Sequence, residues 1–205
     1  MPLLEFVLTQ VWERRDQGFL THKAYQSVGK VAGSLTAWAD EVCRSLEKDG
    51  LSQLTRRIFT DLVNLGDERQ RLPDSRRRRL LDHLCNQQAE REPVHSIVQR
   101  LADARLVTTS TDKGQVTVEI IHDSLIREWA RLQRWLKKDR SFLSWERELE
   151  KDAREWRDPS PEDATRRDDG RLLRGLRLSN AERWLKERQN DLNEAGIDFI
   201  LASVV

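Results

Sequence analysis

The spacing of apolar positions changes from a strand period to a helix period within residues 116–138. Val116, Val118 and Ile120 alternate with other residues, which predicts a strand with one buried face. Further along, apolar residues recur at helical spacing and form the stripe of an amphipathic helix: Leu125, Trp129, Leu132 and Leu136. The change of period falls at His122, so a strand is predicted to lead directly into a helix there.

This junction gives His122 a distinctive predicted environment. The imidazole should lie at an exposed helix start, beside free backbone N–H groups that favour anions. Asp123 or Ser124 can supply the helix cap. Position alone leaves two interpretations open, because a histidine here either contacts a ligand or only caps and packs at the junction.

Helical spacing dominates the rest of the chain, so we predict a mainly α fold. Apolar faces in residues 2–15 and from about Ser34 indicate a small helical bundle, which we assign to a helical subdomain at residues 1–49. Residues 139–205 are predicted to form a helical extension. One of its helices carries an aromatic and aliphatic stripe that we interpret as core: Phe142, Trp145, Leu149 and Trp156.

Residues 50–138 have the predicted order of a winged-helix domain. Three helices are expected, at about 51–65, at 73–84 and from Pro93. A β-hairpin follows, in which Gly114 of the DKGQ turn is available for a positive φ. Three helices followed by a two-stranded wing are typical of this helix-turn-helix variant.

Composition narrows the functional classes. The chain has 205 residues with 38% hydrophobic and 35% charged residues, enough apolar side chains to fold. A net charge of +1 argues against a nucleic-acid protein that works through bulk charge. Cys43 and Cys85 have no metal-type spacing, and we expect reduced thiols. No apolar run reaches the length of a membrane span and no secretion signal is apparent, so we expect a cytoplasmic protein without a membrane partner.

A run of four arginines provides the main case for DNA binding by the winged helix. Such a run is a plausible phosphate-binding patch, but it is more often a solvated or ion-paired face, and the later helix offers few base-reading side chains. Nucleic acid is therefore the less favoured partner. The run consists of Arg76, Arg77, Arg78 and Arg79.

Motifs for catalysis and metal binding are missing from the sequence. The four histidines lack metal-ligand spacing, and Gly29-Lys30-Val31 lacks the spacing of a Walker A loop. No apolar strand ends in acidic residues that could hold magnesium. We therefore expect no metal site, no catalytic residues and no ATP hydrolysis by this chain alone.

The segment IHDSLIREWARL, residues 121–132, resembles the histidine-containing winged-helix motif of STAND NTPases, which are signal-transduction ATPases. The similarity is greatest to the bacterial branch called novel STAND NTPases. In that family the histidine contacts the β-phosphate of ADP in the resting state, which implies a nucleotide-sensing role for His122. PLLEFVLTQVWERR, residues 2–15, resembles the family's Leu-Pro-Leu motif, which implies that Pro2 packs near the adenine.

The resemblance implies a regulatory, autoinhibitory arm of a signalling ATPase that switches between ADP and ATP. The expected partners are a P-loop NTPase core in cis or in trans, C-terminal repeats that act as a sensor, and further copies of the protein on activation. ADP or ATP with Mg²⁺ is expected only where that core is present, and this chain alone is expected to hold no cofactor. The alternatives are a DNA-binding winged-helix regulator and a free-standing adaptor for protein interactions.

Overall fold

The computed structural model describes residues 8–9, 11–13, 15–21, 30–67, 70–157 and 169–204. They divide into two compact units. The first combines the chain up to Leu84 with Arg91–Lys138, and the second combines Cys85–Glu90 with the chain from Asp139 onward. Over the described ranges the chain is mainly helical with two small antiparallel sheets, which confirms the predicted class. The three predicted domains stay predictions, because compact units need not coincide with domains.

One helix of the first unit follows its predicted apolar stripe, whereas the stripe from Leu125 to Leu136, predicted as one helix, is divided at Trp129 between two helices. The helix predicted from about Ser34 begins at Lys30, and its buried stripe consists of Leu35, Ala39, Cys43 and Leu46. Spacings of four, four and three residues place these side chains on one side of the helix. The elements are α1 (Lys30–Lys48), α2 (Ser52–Asp61), α3 (Arg91–Asp103), α4 (Asp123–Glu128) and the beginning of α5 (Ala130–Arg157).

Both sheets also belong to the first unit. Their strands are β1 (Val63–Asn64), β2 (Ser75–Arg76), β3 (Arg79–Leu80), β4 (Val107–Asp112) and β5 (Gln115–Ile120). β1 pairs with β2, and the other strands form a sheet in the order β3-β5-β4. The turn between β4 and β5 has positive φ at Lys113 (49°) and at Gly114 (79°), as a tight hairpin turn requires. The predicted hairpin and its turn are confirmed.

The predicted second helix, at residues 73–84, is wrong. This part of the chain instead forms β2, β3 and a 3₁₀ helix at Leu81–Leu84. The reason is tertiary: Arg79 and Leu80 pair with Val118 and Thr117 of β5, so the backbone is extended where helical spacing of leucines had indicated a helix. Pairing with the edge of β5 therefore outweighs the local preference of this segment for a helix.

Gly66 lies where two segments of backbone approach each other closely. A Cβ atom at this position would overlap the carbonyl groups of Leu72 and Pro73. The Gly66 N–H also donates a hydrogen bond to the Asp74 carboxylate, with an N to O distance of 2.7 Å. Glycine is therefore required for the path of the chain into β2.

The second unit packs around the aromatic stripe of α5. Phe142, Leu149 and Trp156 are buried, which confirms the core interpretation at these positions, whereas Trp145 is half-buried. The Phe142 ring meets Trp184 at a centroid distance of 5.2 Å, with the ring planes inclined at 67°. The other elements of this unit are α6 (Gly175–Arg188), α7 (Glu194–Val204) and 3₁₀ helices at Gln88–Glu90, Asp169–Arg171 and Gln189–Asp191.

Replacing Gly66 by alanine should destabilise the chain by about 1–3 kcal/mol, because the new methyl group must displace backbone. Gly33→Ala is the matched control, since Gly33 is exposed within α1 and a Cβ there meets nothing within 4 Å. The control should raise helix stability by about 1 kcal/mol at most. Urea unfolding of both variants measures the difference, and equal midpoints would contradict the close approach at Gly66.

Burial raises the pKa of the Cys43 thiol from 9.0 to about 12; nearby Arg131 lowers it, whereas Glu47 and Asp40 raise it further. Between these values the unfolded chain has lost the proton and the folded chain keeps it, so stability should fall as pH rises. From pH 8 to pH 10 the loss should be about 1 kcal/mol. Denaturant unfolding should show this loss of stability for Cys85→Ala, which keeps the Cys43 thiol, but not for Cys43→Ala. Identical pH dependence of stability in both variants would refute the prediction.

Candidate functional site

The junction between β5 and α4 has the predicted form. β5 ends at Ile120, and the Ile121 N–H donates to the Leu106 carbonyl, with an N to O distance of 3.0 Å. His122 keeps an extended backbone, with φ −151° and ψ 141°, and α4 begins at the next residue. Two residues, Ile121 and His122, therefore separate the last strand from α4.

His122 itself is the N-cap of α4, which corrects the predicted cap. The Ser124 N–H donates to the imidazole Nδ1 at an N to N distance of 3.1 Å, and the Ser124 hydroxyl oxygen lies 2.9 Å from the same nitrogen. Asp123 and Ser124 do not cap the helix, because both lie inside its first turn. The interpretation of His122 as a capping residue is therefore confirmed.

The cap determines which ring nitrogen of His122 is able to donate. Because Nδ1 accepts from a backbone N–H, it carries no proton in this arrangement, and a neutral imidazole must carry its proton on Nε2. The ring is half-buried. Within the described part of the chain, Nε2 has no hydrogen-bond partner. A neutral His122 ring thus keeps one N–H group that no described residue accepts.

A polar cluster joins α1 to the segment that follows His122. Trp129, at the end of α4, donates its indole N–H to the Asp40 carboxylate at 3.0 Å. The Arg131 guanidinium lies 2.9 Å from the same carboxylate oxygen and 2.5 Å from Glu47. Trp129 is only 1% exposed, so its hydrogen bond is a buried one. These contacts fix α4, and hence His122, against α1.

The four arginines of the run are all ion-paired within the first unit. Their exposure differs greatly, since the side chain of Arg79 is 8% exposed and that of Arg78 is 65% exposed. Each guanidinium thus already has a carboxylate beside it, and the more exposed pairs contribute little to stability. The pairs are Arg76 with Asp123 at 3.1 Å, Arg77 with Asp61 at 3.7 Å, Arg78 with Glu119 at 3.5 Å and Arg79 with Asp61 at 4.0 Å.

Sequence reasoning missed Asp40 and Arg131, which the structure brings to the His122 segment. Asp40 is separated by 89 residues from Trp129, so no local pattern links them. The predicted site residue Pro2 lies outside the described residues. Within the described ranges, no group of three or more His, Cys, Asp or Glu side chains could hold a metal ion, and no helix is long and apolar enough to cross a membrane.

Comparison with known proteins agrees with the resemblance drawn from residues 121–132. A family model described as Novel STAND NTPase 1 matches residues 1–164, which include the whole of the first unit, with the His122 junction, and part of the second. No curated protein and no solved structure matches the chain. Because the family model covers well over half of the sequence, the chain belongs to the family Novel STAND NTPase 1.

Proposed function

We propose that this chain is a regulatory arm that senses the nucleotide state of a STAND-type signalling ATPase and is not itself catalytic. The observation that carries the proposal is that the two nitrogens of the His122 ring differ in their hydrogen bonding. Nδ1 is held by the Ser124 N–H, and Nε2 is left as a donor at a helix start. Such a donor suits a phosphate oxygen, since hydrogen bonds to charged acceptors are stronger than neutral ones.

We further infer that residues 50–138 form a winged helix, and the topology supports this. α2 precedes β3, α3 follows, and β4 and β5 complete a sheet in the order β3-β5-β4. In this arrangement β4 and β5 are the wing, and the short 3₁₀ helix at Leu81–Leu84 stands where a second helix was predicted. His122 then lies two residues beyond the end of the last wing strand.

The proposed mechanism assigns ADP and Mg²⁺ to a P-loop core that this arm contacts in cis or in trans. His122 donates from Nε2 to a phosphate of ADP, and Pro2 packs near the base. ADP stabilises the closed state only to the extent that it binds that state more tightly than the open one. Exchange for ATP removes this preference and releases the arm for assembly with further copies, and C-terminal repeats receive the signal.

The DNA-binding alternative has no comparable support. Each arginine of the run 76–79 has a carboxylate within 4.0 Å, so a phosphate would have to displace an existing ion pair. No specific contact among the described residues supports the adaptor alternative. We therefore retain only the switch-ATPase function.

His122→Ala should lower the stability of the 205-residue chain, because the first turn of α4 loses its side-chain acceptor. The expected loss is about 1 kcal/mol. His122→Asn should restore most of it, since asparagine is among the best N-cap residues. Urea unfolding of the three proteins tests this, and equal stability of wild type and His122→Ala would mean that the cap contributes nothing.

The function is tested by ADP release from a protein that carries this arm together with its P-loop core. His122→Asn keeps the helix cap, but its shorter amide places the remaining N–H donors near the position of Cδ2 and does not reach that of Nε2. Fluorescent ADP should therefore dissociate about tenfold faster, as expected for loss of one charge-assisted hydrogen bond. His95→Asn is the control, because His95 lies on α3 and its Nε2 faces the Asp82 carboxylate at 3.9 Å. Unchanged release in His122→Asn would rule out nucleotide sensing by this residue.

A further inference from the structure

A cleft in the surface of the first unit concentrates positive charge outside the His122 junction. It has a volume of about 420 Å³ and lies between the start of α2 and the first turns of α5. One carboxylate, that of Glu47, is included in the lining. The cations that line it are Arg56, Arg131, Arg134 and Lys138. Four cations against one carboxylate form a strong local excess in a chain whose net charge is only +1.

Two of these cations have no anionic partner in the part of the chain that the structure describes. Arg131 is occupied by Asp40 and Glu47, as described above. Arg134 donates only its Nε to the Ala130 carbonyl, and neither Arg134 nor Lys138 has an ion pair among the residues that the structure describes. They are spaced i and i+4 on α5, where two like charges repel each other. An anion between them would remove this repulsion.

An aromatic surface lies beside the two unpaired cations. The Trp135 ring is half-buried and lines the cleft. It packs against Trp129, with centroids 5.6 Å apart, and the Arg131 guanidinium carbon lies 6.0 Å from its centroid. This packing holds the indole in one orientation. A fixed indole offers a flat ligand a surface on which to stack at little cost in side-chain entropy.

The start of α2 adds donors to the same cleft. Ser52 and Gln53, the first two residues of α2, line it and are exposed. Leu51, at the N-cap position, supplies no side-chain hydrogen bond to the N–H groups of the first turn. Such groups attract negative charge and reinforce the cations, although they would not define a site by themselves.

We propose that this cleft binds a small soluble molecule that carries both a phosphate group and a flat ring. Arg134 and Lys138 bind the phosphate, and the ring stacks on Trp135. The cleft volume falls within the range of about 300–1,000 Å³ that is usual for small-molecule sites. His122 is not part of its lining. The proposal therefore stands independently of nucleotide sensing at His122.

Phenyl phosphate, which combines one phosphate with one flat ring, is the probe for this site. Titrated into the ¹⁵N-labelled chain, it should shift the Trp135 indole N–H signal, which is identified by its disappearance in Trp135→Phe. Binding should be tighter than that of inorganic phosphate, which lacks the ring. Arg134→Gln combined with Lys138→Gln should raise the Kd about tenfold or more, since two charge-assisted contacts are lost.

Arg127→Gln combined with Lys137→Gln is the control, because it changes the net charge equally at exposed positions outside the cleft. It should leave the Kd within about twofold, because charges in water are screened. Equal weakening by both double variants, or no shift of the Trp135 signal, would overturn the proposal. So would much tighter binding of a short single-stranded oligonucleotide with the same dependence on Arg134 and Lys138, since the cleft would then be a nucleic-acid site.

Discussion

The position of His122 depends on a carboxylate far away in the sequence, that of Asp40 in α1. One oxygen of Asp40 accepts hydrogen bonds from the Trp129 indole, at 3.0 Å, and from the Arg131 guanidinium, at 2.9 Å. Turning α4 away from α1 would leave the buried indole N–H without an acceptor, at a cost of about 1–3 kcal/mol. Because α4 begins immediately after His122, this contact also orients the imidazole. The junction is thus held from both ends, by its own cap and by α1.

The parts of the fold that sequence predicted correctly are those determined by neighbouring residues. Alternating β-branched residues and the Asp-Lys-Gly-Gln turn determine the β4–β5 hairpin locally, and the structure has both. The prediction of a helix at residues 73–84 was wrong because the structure of this segment depends on pairing with β5, which lies about 40 residues further along. Leu80 fits a helical stripe in the sequence, yet in the structure it pairs with Thr117. No local pattern reveals that a strand edge will be available.

The candidate site shows the same division between local and distant information. The change from strand to helix at His122 was predictable because it is a change of period in adjacent residues. The identity of the helix cap was not predictable from the sequence. Asp and Ser are ordinary capping residues, and which residue caps α4 depends on which side chain reaches the Ser124 N–H. The carboxylate partners of the arginine run also could not be predicted from the sequence. Arg76 meets Asp123 across 47 residues, and only the β2 and α4 positions bring the two together.

The Arg131 side chain belongs to two features at once, and this relates the cleft to the junction. Its guanidinium binds Asp40 and Glu47, and it also lines the cationic cleft. An anion in the cleft would compete with these carboxylates for the same group, so it would alter the contacts that hold α1 to the His122 segment. Coupling of this kind requires that the anion bind one arrangement of Arg131 better than another. If it does, reciprocity requires that a nucleotide bound at His122 change the affinity of the cleft by the same factor.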